Sequence, residues 1–257
     1  MMNNELTPYF NINNITLYHG NCLDIMPELN MTFDACIVDL PYNVTKNKWD
    51  VMIPFEPMWN ELNRLIKDNG AMIFFAQDKF TAKLMLSNEQ YHRYNLIWKK
   101  GNRSSGFLNA KRQPLRNHED ICIFYKNQPT YNPQMVLGEV NHSKGKLDKK
   151  QKNNCYGEFK DTPSSTDGLK YPTSIINIDK PHPQIYPTQK PVSLLEYLIK
   201  TYTNEGEYVL DFTAGSGTTG IAAMNTNRKC VLIEKEEKSC EIIKNRLIEE
   251  SKQLNIF

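Results

Sequence analysis

The chain has 257 residues, 40% of them hydrophobic and 23% charged, with a formal net charge of +2. That is the composition of a water-soluble globular protein large enough for one sizeable core. No apolar run reaches the ~20 residues of a membrane helix, and the start MMNNELTPYF lacks the basic-then-apolar order of a signal peptide, so membrane and export classes are set aside.

Short runs rich in β-branched and aromatic residues alternate with stretches of helical spacing. In chain order the strands are expected at Ile15–Tyr18, Ala35–Val38, Ala71–Ala76, Tyr94–Trp98, Ile121–Tyr125, Tyr208–Phe212 and Cys230–Ile233. Helices are expected near 22–29, 55–68, 78–88, 192–203, 218–226 and 236–254; in the fourth, Leu194, Leu195, Leu198, Ile199 and Tyr202 fall on one face. Continuous apolar strands between helices predict an α/β fold: one doubly wound, mostly parallel sheet of seven strands. Residues 127–180 break the rhythm, being polar, lysine-rich (KGKLDKKQKNN) and punctuated by Pro129, Pro133, Pro163 and Pro172. They read as an insertion, either a disordered loop or a recognition region, in an α/β domain made of residues 1–126 and 181–257.

Charge follows the same division. Residues 1–97 carry a net −4, residues 98–190 a net +8 and residues 191–257 a net −2. A basic middle third is either a solvated lysine-rich surface or a face for nucleic-acid phosphates. The six cysteines (Cys22, Cys36, Cys122, Cys155, Cys230, Cys240) form no CxxC pair, and several sit in apolar runs. They read as free thiols in a reducing cytoplasm, with neither metal nor disulfide expected.

Two segments carry chemistry. TAGSGTT (213–219) follows the strand YVLDF, so a glycine-rich turn leads into a helix start at a strand's carboxyl end. The third glycine of the dinucleotide fingerprint is missing, which disfavours NAD and FAD. The next strand, CVLIE, ends in Glu234, placed to accept hydrogen bonds from ribose hydroxyls. The other segment is Asp39-Leu40-Pro41-Tyr42 after the strand DACIV. Proline forces the chain to turn there, presenting a carboxylate and an aromatic ring that suit a flat, amine-bearing heterocycle.

Taken together, the two segments resemble the amino-group DNA methyltransferases that use S-adenosylmethionine, in the permuted order called the β class. DLPY is similar to that family's target motif [D/N/S]-P-P-[Y/F], and DFTAGSGTT to its cofactor motif D-P-F-x-G-S-G-T-T. The target motif comes first, the basic irregular segment second and the cofactor loop last, as in the family. YPTQKPVSLLEYLI (186–199), RNHEDICIFYK (116–126) and HGNCLDIM (19–26) extend the likeness across most of residues 15–245. The departures are Leu40 for the first proline, Asn21 for aspartate, Tyr186 for histidine and Phe212-Thr213 for Pro-Phe.

The resemblance implies Asp39, Pro41 and Tyr42 as catalytic residues, and Asp211, Thr213, Gly215, Ser216, Gly217, Thr218, Glu234 and Lys190 as binding S-adenosylmethionine, with no metal. It implies double-stranded DNA as partner, a homodimer as an option, and methylation of adenine N6 on a flipped base. Asp39 and the Leu40 carbonyl would accept the amine's hydrogen bonds while Tyr42 stacks on the base. Cytosine N4 is the alternative target, although such enzymes more often carry serine in place of Asp39. A noncatalytic DNA-binding module is the remaining alternative, and it has no use for Asp39, Tyr42 and Glu234 together.

Overall fold

The computed structural model describes residues 6–42, 51–101, 104–138, 151–153, 157–159, 168–181 and 189–254. Tyr186, Cys155 and most of the lysine-rich run 144–154 lie outside the described residues. The chain divides into two compact units, residues 1–132 with 174–257, and residues 133–173.

The first unit opens with a hairpin, β1 (Phe10–Ile12) and β2 (Ile15–His19), then α1 (Cys22–Ile25) and β3 (Phe33–Asp39). It continues through α2 (Phe55–Leu65), β4 (Ile66–Ala76), α3 (Asp78–Ser87), β5 (His92–Lys99) and β6 (His118–Phe124). Among the described residues the second unit holds two antiparallel ribbons: β7 (Val136–Leu137) pairs with β10 (Leu169–Lys170), and β8 (Gln151–Asn153) with β9 (Gly157–Phe159). The chain re-enters the first unit with β11 (Ile175–Asn177), α4 (Val192–Tyr202), β12 (Tyr208–Asp211), α5 (Thr218–Asn225), β13 (Lys229–Glu234) and α6 (Glu237–Leu254).

Among the described residues one sheet of nine strands, in the order β1-β2-β13-β12-β3-β4-β6-β5-β11, organises the first unit. Every strand and helix expected from the sequence is present, but the sheet exceeds the expected seven strands. The extra two, β1 and β11, are edge strands of three residues each, too short to show a period. The helix at 55 also ends at Leu65, before the expected 68, because Ile66 already pairs with Phe33 of β3. The register then slips, with Ala35 opposite Ala71. Gly70 sits in this irregularity, where an added Cβ would lie 2.9 Å from the Asp34 carbonyl oxygen.

Alternation along the central strands builds two cores. Ala35, Ile37, Ile73, Phe75, Ile121 and Ile123 face α4, α5 and α6, whereas Cys36, Val38, Met72, Phe74, Cys122 and Phe124 face α1, α2 and α3. Each fully buried Ile or Phe contributes about 1.5–3 kcal/mol, so a one-residue slip of register would exchange two complete layers. The five cysteines among the described residues are buried free thiols, as read from their apolar runs. No helix among the described residues is long and apolar enough to cross a membrane.

The topology positions the site. From β3 the chain winds outward to β4, and from β12 it winds the other way to β13, while β3 and β12 pair side by side in parallel. Such a reversal opens a crevice beyond the strands' carboxyl ends. β6 runs antiparallel to both β4 and β5, so the start of β6 and the end of β5 reach the same edge.

Candidate active site

At that edge a cavity of about 550 Å³ is lined by the ends of β3, β12 and β13 and by the starts of the segments that follow them. This is the size range of small-molecule sites. Of the eleven residues expected in the site, ten line it: Asp39, Pro41, Tyr42, Lys190, Asp211, Thr213, Gly215, Ser216, Thr218 and Glu234. Gly217 does not. It turns at φ +75° just before α5, and a Cβ there would lie 2.8 Å from Ile243 of α6. This glycine lets the turn form and lets α6 pack close.

The cofactor half rests on two strand-end carboxylates. Glu234 accepts the Gly215 N–H at 2.7 Å and the Glu236 N–H at 2.9 Å, one on each oxygen. Burial raises its carboxyl above the usual range, and these two bonds oppose that shift. Each oxygen keeps a second lone pair for a ligand hydroxyl. Asp211 accepts the Thr219 hydroxyl at 2.5 Å and the Thr213 N–H at 3.1 Å. Burial pushes its carboxyl up to about 7, against those same bonds. Arg246 of α6 donates to the Ser216 carbonyl at 2.5 Å, pinning the turn between the two carboxylates.

Departures from the family pattern have local explanations. Phe212, where proline is usual, is buried in the core beside α1–α3. Thr213 donates its hydroxyl to the Asp39 carbonyl at 3.1 Å, tying the cofactor turn to the target motif. Asn21 accepts the Leu23 N–H at 3.2 Å and so caps α1, as an aspartate would. Leu40 is buried, so the motif keeps its turn and gains a core contact.

The target half is a ring of charge around Asp39. The Tyr42 hydroxyl donates to Asp39 Oδ1 at 2.8 Å, and the Tyr42 ring rests on Phe80 of α3 with centroids 4.6 Å apart. Burial, followed by the Asp39 charge, pushes the Tyr42 phenol well above its ordinary value, so it stays a donor. Lys190 Nζ donates to Asp39 Oδ2, lies 3.4 Å from Glu119 Oε2 and sits over the Phe75 ring at 4.8 Å. Lys100 Nζ pairs with the other Glu119 oxygen. Burial by itself would lower the Lys190 ammonium, but Asp39 and Glu119 outweigh it and hold it above its ordinary value. Conversely, burial would raise Glu119, and Lys190 with Lys100 keeps it below the usual carboxylate range.

Lys190, expected at the cofactor, therefore meets Asp39, Glu119 and Phe75 in the target half of the cavity. Sequence reasoning missed Lys100 and Glu119 as site residues. Glu119 lay in the N-H-E segment, which was a signal; Lys100 had none. Their meeting depends on the β5–β6 register, in which Trp98 lies opposite Glu119.

Comparison with known proteins identifies the family. A family model described as DNA methylase, for N6 and N4 methyltransferases, matches residues 33–245. Type II methyltransferase M2.MboI of Moraxella bovis is 27% identical over 274 aligned residues, covering 94% of this chain and 91% of that protein. DNA adenine methyltransferase YhdJ of Escherichia coli K12 is 27% identical over 239, covering 85% and 78%. The fold matches the crystal structure of the M1.HpyAVI–SAM complex with a TM-score of 0.62 at 24% identity, over 90% of this chain and 99% of that one. The chain thus belongs to the DNA methylase family of N6- and N4-specific methyltransferases.

Proposed function

We propose that this DNA methyltransferase transfers a methyl group from S-adenosylmethionine to the N6 amine of adenine, at a specific site in double-stranded DNA. The observation that carries the reading is one cavity joining Asp39 and Tyr42 at the end of β3 to Asp211 and Glu234 at the ends of β12 and β13. Family membership supports methyl transfer to an amine of DNA. Adenine is supported by the carboxylate at Asp39 and by the likeness to YhdJ, a DNA adenine methyltransferase.

The residues present fit the cofactor. Glu234 offers acceptor lone pairs suited to ribose hydroxyls, and Asp211 and Glu234 together suit a cationic ligand. Ser216, Thr218 and the Gly215 turn complete that half. When bound, S-adenosylmethionine supplies a methyl group activated on a sulfonium. The chain's own work concerns the amine. Its nitrogen is a poor nucleophile because the lone pair is delocalised into the ring. Asp39 and the Leu40 carbonyl accept its two N–H bonds, which localises electron density on nitrogen and fixes its direction. Tyr42, supported from behind by Phe80, is the stacking surface for the base. The base must leave the duplex to arrive there.

The residues 127–180 are proposed to read the target sequence. The proposal extends to pairing of two copies, for which the family resemblance is the support, and to a reducing cytoplasm, which suits the buried free thiols. Mass spectrometry of nucleosides from DNA incubated with the protein and S-adenosylmethionine tests the central claim. N6-methyladenine is the expected product. N4-methylcytosine in its place would overturn the choice of base, and no methylated nucleoside would overturn the reaction.

Asp211 adds a pH dependence. With its carboxyl pushed up to about 7 by burial, Asp211 is mostly neutral below that pH and ionised above it. A cationic cofactor favours the ionised form, so affinity rises from about pH 6 to about pH 8 and binding releases protons. Calorimetry in two buffers of different ionisation enthalpy measures that release, and Asp211→Asn removes it. An unchanged proton release in the variant would assign the effect to another group.

A further inference from the structure

Residues 104–116 form a small projection beside the target half of the cavity. Its base is closed by Ser105 and Arg116, whose backbones exchange hydrogen bonds of 2.7 and 3.1 Å. Gly106 turns at φ +84° into a single 3₁₀ turn, Phe107–Asn109, whose bonds are internal to the projection. Arg116 anchors it to the end of β4, bonding Gln77 Oε1 at 2.6 Å and pairing with Asp78. Ser105, Gly106, Arg116 and Gln77 share the cavity lining with Asp39 and Tyr42.

At the tip, two adjacent large apolar side chains face solvent: Phe107 is 76% exposed and Leu108 85%. Holding such a pair in water beside a site, on a turn stabilised by its own hydrogen bonds, forgoes burial that the fold could otherwise use. The projection itself carries charges of one sign: residues 104–117 contain Lys111, Arg112 and Arg116 and no carboxylate, with Arg116 paired to Asp78 at the base. Lys111 and Arg112 are exposed just behind the tip. Apolar wedges flanked by basic side chains suit one occupant, a nucleic-acid duplex whose phosphates meet the cations while the wedge enters the base stack.

Building on the proposed function, we infer that Phe107 and Leu108 enter the duplex at the target position and hold the gap left by the extruded adenine. The pair acts as a positioning element: it lowers the cost of keeping the base out and takes no part in the chemistry. Its effect must therefore depend on how firmly the target base is held in the duplex.

The test uses the full chain carrying Phe107→Ser and Leu108→Ser. Substrates are two oligonucleotide duplexes containing the site found by methylation-aware sequencing, one fully paired and one with an abasic site opposite the target adenine. On the paired duplex, single-turnover methyl transfer falls by about 30-fold, reflecting unstacking and unpairing that the wedge no longer offsets. On the abasic duplex the variant comes within about threefold of the parent, because little pairing remains to be broken. Cofactor affinity, unchanged in the variant, shows that the fold is intact. Equal losses on both duplexes, or no loss on the paired one, would overturn the wedge. A parent chain that methylates neither duplex would instead overturn the function on which it rests.

Discussion

Asp39→Ala lowers the rate of methyl transfer by about 10³-fold, while affinity for S-adenosylmethionine stays within about threefold of the parent's. The split follows from the division of the cavity. The cofactor half is held by Glu234 on Gly215 and Glu236, and by Asp211 on Thr213 and Thr219. None of these bonds involves the Asp39 side chain. The tie between the halves, from the Thr213 hydroxyl, reaches the Asp39 backbone carbonyl and survives the substitution. What disappears is the acceptor for the amine. Lys190 keeps Glu119 as counter-ion, shared with Lys100, so neither ammonium is left without a carboxylate partner and the variant should fold. Asp39→Asn, which retains one acceptor oxygen but no charge, falls between alanine and the parent. Single-turnover transfer of a labelled methyl group, beside equilibrium cofactor binding, measures both quantities. Full activity in Asp39→Ala would remove this carboxylate from the reaction. Parallel losses of binding and rate would move it to the cofactor half.

The difference between what the sequence made legible and what it did not is one of range. Asp39, Tyr42, Gly215 and Glu234 could be placed because each sits within a few residues of a strand's end, where local pattern marks both the strand and the turn. The alternation of Ile37 with Val38, and of Ile73 with Phe74, likewise announces strands buried on both faces. By contrast, β1 and β11 have three residues each, and the pairing that makes them strands comes from the partner's register. Strand direction was equally hidden. That β6 runs antiparallel between β4 and β5 follows from how the chain returns, and it is this reversal that carries Glu119 and Lys100 to the carboxyl edge of the parallel strands. Gly217 shows the converse. A glycine in a cofactor-type turn reads as room for a ligand, but the atoms that need the room belong to Ile243 of α6, nearly thirty residues away in the chain.

Lys190 is where that long-range information argues for a different role, and Lys190→Met tests it. Methionine preserves most of the packing against Phe75 while removing the charge. Asp39 then loses its donor on Oδ2, and Tyr42 alone holds the carboxylate through Oδ1. A carboxylate fixed at one oxygen can rotate, and a misplacement of about 1 Å at a reacting centre costs about 10²-fold in rate. So kcat falls by about 10²-fold, the cofactor KM changes by less than about twofold, and Lys190→Arg, which restores a cation, recovers part of the loss. The pH profile carries a second signature. Lys190 and Lys100 hold Glu119 below the usual carboxylate range against its burial; with Lys190 gone, Glu119 takes up a proton at higher pH. Its depressed folded-state value means that the network's contribution is present at neutral pH and is lost as pH falls. The variant's activity should therefore drop on the acid side at a higher pH than the parent's. Steady-state kinetics across that range measures both effects. A raised cofactor KM with unchanged kcat would return Lys190 to the cofactor, where its sequence motif alone would put it.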